Sequence, residues 1–259
     1  SSSDNTLRGV MSRVVVITGA SAGIGAATAT LLSRQGMSLG LMARRADRLA
    51  EVAGACGPDT LAITGDATSR ADVAQVVGQV IARFGYIDVW INNVGQGITR
   101  SPSQLTDDDL DDMMRINVKS ALYGMQEVLP HFKARGQGHV INVSSVLGRI
   151  PMATFRSAYV GAKHFLNALT ITFRDEVQQT HPGIQFSLVS PPVVRTEFGL
   201  NALHGGPDSR TLPNSQSAEE VAAVIAGVID SRAPDVYTMP GVSQRVAEYY
   251  ATIGVDGGR

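Results

Sequence analysis

The chain has 259 residues, 44% of them hydrophobic and 17% charged, with a formal net charge of −1. That length and apolar content suffice to bury a large core in one α/β domain, and the near-neutral charge leaves no electrostatic footprint for nucleic acid or an anionic membrane. The one cysteine, Cys56, excludes an intrachain disulfide, and the five histidines form no His-x-x-x-His pair, so no metal site is expected.

Ser1 to Arg8 is polar and lacks the apolar core of a signal peptide. Residues 1–12 read as a disordered tail or expression remnant, with Met11 a candidate native start, and 13–259 as one domain. No apolar run reaches the roughly 18 residues of a membrane span, so the chain reads as soluble and cytoplasmic.

Val14 to Ile17 is a β-branched run, the composition of a strand buried on both faces. It stops at Thr18-Gly19, and the apolar period of a helix (Ile24, Ala27, Leu31, Leu32) starts soon after. Gly19, Gly23 and Gly25 let a ligand approach the backbone closely. The turn also brings free N–H groups and the positive end of a helix dipole to one point, a site for a pyrophosphate. Its spacing, Gly-x-x-x-Gly-x-Gly, only approximates the usual dinucleotide fingerprint.

Strand-like runs then alternate with helical segments: Met37–Ala43, a helix over Ala46–Ala55, Leu61–Ile63, a helix bearing Val73 to Ile81, and Ile87–Ile91. A long helix is expected over Asp107–Lys133, with the acidic cluster Asp107-Asp108-Asp109 in its first turn, where carboxylates suit the dipole. Val140–Val143 makes a fifth strand, Ser157–Gln178 a second long helix, and Ile184–Val189 a sixth strand. From Pro191 to Ser217 the period is lost among prolines and the Gly205-Gly206 pair, so a substrate lid is expected at about 192–217. Helix Ala218–Ile229 and strand Val236–Met239 close the pattern, and the tail frays from Gly257. The expected fold is α/β: a Rossmann-like doubly wound parallel sheet of about seven strands with helices on both faces.

In such a sheet ligands bind beyond the carboxyl ends of the strands. Thr18-Gly19, Ala43-Arg44-Arg45, Asp66, Asn92-Asn93, Ser144-Ser145 and Ser190-Pro191 stand there. Tyr159 and Lys163, four residues apart, share one helix face. In a chain with six tyrosines and three lysines a chance pair at this spacing is uncommon. An ammonium near a phenol favours the phenolate, the shift that an acid–base tyrosine needs.

Together these residues resemble the short-chain dehydrogenase/reductase family. Thr18-Gly-Ala-Ser-Ala-Gly-Ile-Gly25 is similar to its Thr-Gly-x-x-x-Gly-x-Gly, Asn92-Asn-Val-Gly95 to its Asn-Asn-Ala-Gly, and Tyr159-Val-Gly-Ala-Lys163 to its Tyr-x-x-x-Lys. Asn117 matches the helix asparagine and Ser145 the catalytic serine. Pro191-Pro192 departs from the family's Pro-Gly. The resemblance implies a catalytic set in which Ser145 polarises the substrate oxygen and Tyr159 exchanges a proton with it. Lys163 would hold the nicotinamide ribose and lower the tyrosine pKa, while Asn117 holds a water linked to solvent. It implies a cofactor site of Gly19, Ser21, Ala22, Gly23, Ile24, Gly25, Asp66, Ala67, Asn92, Tyr159, Lys163 and Pro191, with Val194 and Thr196 at the nicotinamide amide.

Arg44 and Arg45 follow the second strand, where an NAD-selective site would carry a carboxylate. Two cations there suit a 2′-phosphate, so NADP(H) is the expected cofactor. The competing reading pairs them with Asp47 or Glu51. Function is then an NADP(H)-dependent hydride transfer to or from a carbonyl or secondary alcohol; a non-catalytic nicotinamide redox sensor on the same fold is the alternative. Leu147, Ile150, Met152, Phe155, Val193, Phe198, Leu200 and Leu203 are expected to line an apolar substrate pocket, with Arg149, Arg156 and His204 nearby. Surplus apolar residues on the long helices (Leu122, Leu129, Phe132; Phe165, Leu169, Phe173) point to a homodimer or homotetramer.

Overall fold

The computed structural model describes residues 12–254. The expectations for 1–11 and for the tail from Gly257 lie outside the described residues. The strands are β1 (Val14–Thr18), β2 (Ser38–Ala43), β3 (Thr60–Thr64), β4 (Val89–Asn92), β5 (Gly138–Val143), β6 (Ile184–Ser190) and β7 (Asp235–Tyr237). They form one sheet in the order β3-β2-β1-β4-β5-β6-β7, and every neighbouring pair is parallel. This is the doubly wound, Rossmann-like architecture expected from the alternating pattern.

Alternation along each strand divides the core into two layers. Val15 and Ile17 of β1, Val89 and Ile91 of β4, and Ile141 and Val143 of β5 face one side. There they meet Ala29 and Leu32 of α1 (Gly23–Arg34), Leu49 of α2 (Ala46–Cys56), and Val221, Ile225 and Val228 of α7 (Ala218–Ser231). Val14, Val16, Trp90, Val140 and Phe186 face the other side, under α3 (Arg70–Phe84), α5 (Ser120–Arg135) and α6 (Ser157–Gln178). Because both faces are covered, the strands read as continuous apolar runs. The final helix, α8 (Val242–Thr252), packs Val242 and Val246 against Val146 and Ile150.

The helix expected over Asp107–Lys133 differs in detail. It is α4 (Asp107–Met114), a π-helical turn (Arg115–Lys119) and α5, running on to Arg135. A capping box starts α4, in which Thr106 and Asp109 each bond the other's backbone N–H. The π turn centres on Asn117, and such turns concentrate at functional sites. The surplus-residue argument also needs amendment. Phe132 is fully buried, and Leu129, Leu169 and Phe173 pack against the same core, so one chain uses them; Phe165 remains 51% exposed.

Candidate active site

Strand order reverses between β1 and β4, so the loops after these strands part and open a crevice. A cleft of about 920 Å³ lies there. One end of its lining is Gly19, Ser21, Ala22, Gly23 and Ile24. Gly19 has φ +69° and Gly23 φ +54°, a region that side chains with a Cβ enter at a cost. Gly25 does not line the cleft but is needed beneath it: an added Cβ would stand 2.4 Å from the Gly19 carbonyl oxygen and 2.7 Å from Asn93 Nδ2. No side chain caps the start of α1, where the first backbone bond is Ala26 N–H to the Ala22 carbonyl at 3.2 Å. The N–H groups before it have no partner within the helix, and Gly23 and Ile24, which carry two of them, line the cleft.

Beyond β2, Arg44 and Arg45 are exposed and border the cleft. Arg45 Nη2 reaches Ser21 Oγ at 3.4 Å. Among the described residues neither arginine pairs with a carboxylate, so the expected competitors Asp47 and Glu51 do not claim them. Asp66 and Ala67 also line the cleft, the carboxylate accepting from the Thr68 N–H and hydroxyl at 2.9 Å each.

Asn92 is placed otherwise. Its side chain lies inside the core, accepting from Trp90 Nε1 at 2.7 Å and donating to Asn142 Oδ1 at 2.8 Å and the Ala121 carbonyl at 3.2 Å. Asn92 is the last residue of β4, and its face is the core face; the next residues, Asn93, Val94 and Gly95, line the cleft instead. A one-residue step reverses the side-chain direction in a strand.

At the other end, Ser145, Tyr159 and Lys163 meet. Ser144 and Ser145 follow β5, and Ser144 Oγ bonds Asn167 Oδ1 of α6 at 2.5 Å, which ties the strand end to the helix carrying the tyrosine. Ser145 Oγ accepts the Leu147 N–H at 3.1 Å. Burial pushes the Tyr159 hydroxyl up to about 12, while the adjacent Ser145 hydroxyl and then the Arg156 guanidinium pull it down. Lys163 is 3% exposed, and burial holds its ammonium down to about 8. Its Nζ donates to the Val143 carbonyl at 3.0 Å. Burial is thus the largest influence on the tyrosine, and the downward pull comes from Ser145 and Arg156 rather than from the expected Lys163.

Asn117 does not line the cleft; it stands behind it, fully buried. Oδ1 accepts the Gln96 N–H at 3.0 Å, and Nδ2 donates to the Gln96 and Met113 carbonyls at 3.0 and 3.1 Å. Between it and the lysine is Gly95, where an added Cβ would stand 3.2 Å from Asn117 Oδ1 and 3.5 Å from Lys163 Nζ.

A model of the short chain dehydrogenase family matches residues 13–204. The chain belongs to this family. An uncharacterized oxidoreductase of Staphylococcus saprophyticus is 36% identical over 193 residues, 74% of this chain and 78% of that protein. The alcohol dehydrogenase of the archaeon Thermococcus sibiricus, complexed with 5-hydroxy-NADP, is similar in structure at a TM-score of 0.75 and 27% identity, covering 87% of this chain and 95% of that one. A short chain dehydrogenase/reductase of Burkholderia phymatum in complex with NAD shares the fold at a TM-score of 0.84 and 21% identity, over 96% of this chain and 98% of that one.

In this short-chain dehydrogenase, Pro191, Pro192, Val194 and Thr196 all line the cleft, so the second proline keeps the segment at the site. The segment's two ends are paired: Arg195 N–H bonds the Gln216 carbonyl at 2.8 Å and Gln216 N–H the Val193 carbonyl at 3.0 Å. Leu147, Met152, Phe155, Arg156, Val193 and Phe198 line the cleft as expected, but Ile150, Leu200, Leu203, Arg149 and His204 do not. Arg149 pairs with Asp235, and His204 Nε2 with Asp109 Oδ1 at 2.7 Å. Met239, Val242 and Arg245, near the chain's end, join the lining without a sequence signal.

Proposed function

We propose that this short-chain dehydrogenase is an NADP(H)-dependent oxidoreductase. It passes a hydride between nicotinamide and the carbonyl or secondary alcohol of a small, moderately apolar substrate. The observation that carries this reading is the meeting of Ser145, Tyr159 and Lys163 at one end of a cleft whose other end is a glycine cradle. The turn suits a dinucleotide: a Cβ at Gly25 would collide with the Gly19 oxygen beneath it, and among the described residues no carboxylate pairs with Arg44 or Arg45, which leaves them to a 2′-phosphate. The relative complexed with 5-hydroxy-NADP supports a nicotinamide dinucleotide here.

When bound, the nicotinamide supplies or accepts the hydride. The chain's own residues handle the proton and the geometry. The Ser145 hydroxyl donates to the substrate oxygen. Tyr159 keeps its proton up to about 12, so it enters reduction as the acid and gives that proton to the same oxygen. Lys163 holds the ribose hydroxyls, and Asn117 fixes the π turn at which a water links the lysine to solvent. The protein acts as one catalytic domain, with 192–217 as lid, in a homodimer or homotetramer in the cytoplasm. Among the described residues no helix is long and apolar enough to cross a membrane.

A redox sensor on the same fold has no use for a buried proton donor, and Tyr159 is one. Incubating the protein with NADPH and a panel of ketones and aldehydes tests the reading. Substrate-dependent NADPH oxidation is expected; tight NADPH binding without turnover of any carbonyl would favour the sensor.

A further inference from the structure

Arg156 is 8% exposed, lines the cleft, and has no carboxylate partner among the described residues. Its neighbours are neutralised: Arg100 pairs with Asp109 at 3.0 Å, and Arg149 with Asp235. Nη1 of Arg156 donates to the Ile98 carbonyl at 3.2 Å and to Thr99 Oγ1 at 3.3 Å. Nε and Nη2 have no hydrogen-bond partner among the described residues. The guanidinium sits between two glycines that offer it no side chain: a Cβ on Gly97 would stand 2.8 Å from Nη1, and one on Gly206 would stand 3.3 Å from Nη2.

Withdrawing a cation from water without giving it a counter-charge is unfavourable. Burial accordingly draws this guanidinium below its usual range, the nearby Tyr159 opposing the shift. Tyr159 does not neutralise it, because the phenol stays protonated until pH about 12. The structure therefore provides a fork of donors in the lining of the cleft that no carboxylate of the described residues contacts.

We propose that Arg156 receives a carboxylate of the substrate, so that the carbonyl reduced beside Tyr159 belongs to an oxo acid. This rests on the oxidoreductase reading and adds the substrate class. Arg156 stands at the N-cap of α6, three residues before Tyr159, and its charge reaches the phenol. A carboxylate on the Nε–Nη2 edge then lies a few bonds from a carbonyl held by Tyr159 and Ser145. Bidentate pairing suits the planar fork. Met152, Phe155, Val193 and Phe198 also line the cleft beside polar groups such as Asn201 and Ser209, and these apolar side chains suit an acid with an alkyl or aryl remainder.

The test compares α-, β- and γ-oxohexanoate with their methyl esters, using the full chain and NADPH. At least one acid is expected to exceed its ester in kcat/KM by about tenfold or more, the worth of a charge-assisted bond. Arg156→Met should lower kcat/KM for that acid by about ten- to a hundredfold, chiefly through KM. It should lower the ester far less, and Arg156→Lys should restore part of the loss. Calorimetric titration of the acids into the NADP+ complex reads the same contact without turnover. Esters used as well as acids by the wild type would overturn the inference and leave the oxidoreductase reading standing. So would an Arg156→Met loss equal for acid and ester and confined to kcat, which would make the arginine act through Tyr159. Acid binding that depends on Arg156 with no turnover of any carbonyl would support the anion site and count against the oxidoreductase reading.

Discussion

The Lys163 ammonium stands 5.7 Å from the centroid of the Tyr159 ring, one helical turn further along α6. Both groups are buried at the floor of the cleft, and burial drives them in opposite directions, the lysine down to about 8 and the tyrosine up to about 12. Each shift favours the neutral form. In the free protein the pair resists charge, and it is the lysine that bears the cost at neutral pH.

That cost is measurable. The unfolded chain binds the lysine proton more tightly than the folded one, so the fold is penalised below pH about 8 and the penalty disappears as pH rises from about 8 towards 10.5. The tyrosine, raised from 10.0, favours the fold until pH passes 10 and loses that contribution towards about 12, so between 8 and 10 the lysine dominates. Lys163→Met removes the penalty and also the bond to Val143. Urea unfolding should show the variant roughly 1–3 kcal/mol more stable at pH 7, with the gap closing near pH 10. A variant less stable at pH 7 would mean that the buried charge is compensated.

Gly25→Ala tests the cradle. The new methyl would meet the Gly19 oxygen and Asn93, and these are backbone and a bonded amide rather than a loose chain end. The turn must open, at a cost of about 1–3 kcal/mol. NADPH affinity should fall about tenfold or more, read by fluorescence titration, with a lowered Tm. Unchanged affinity would place the dinucleotide elsewhere.

Arg44→Ala and Arg45→Ala test the cofactor preference. Losing a charge-assisted bond costs roughly 1.5–3 kcal/mol, so NADPH affinity should fall about ten- to a hundredfold while NADH affinity holds. If the wild type binds both reduced cofactors equally, the two arginines are surface charges.

Phe165 is 51% exposed on α6, on a helix face shared with the exposed Gly161, Ala168 and Thr172. If α6 pairs across a two-fold axis, as proposed, light scattering gives a multiple of the 27.3 kDa chain mass and Phe165→Glu reduces it. A wild-type monomer at micromolar concentration would contradict this.

Much of the fold was legible because burial on both faces writes itself into strands as continuous β-branched runs, as in Val14 to Ile17. Tyr159 and Lys163 were legible because helical spacing alone puts them on one face. The sense of the tyrosine's shift was not, since local sequence carries the neighbouring ammonium but not the depth of burial. The inward turn of the Asn92 side chain was not legible, because the end of β4 decides which amide faces the core. The π turn at Asn117 has no signature in a continuous apolar period. Arg156 was visible as a nearby cation, but its isolation depends on Gly97 and Gly206, brought to it from distant segments.

The most direct test of the central claim, that Tyr159 transfers the proton accompanying hydride transfer, is turnover and NADPH affinity measured together for the wild type and Tyr159→Phe. The substitution removes one oxygen and keeps the ring that packs against Phe198 at 5.5 Å. Turnover should fall about a hundredfold or more, with NADPH affinity within about threefold of the wild type. A Tyr159→Phe protein that keeps more than about a tenth of wild-type turnover would contradict the assignment.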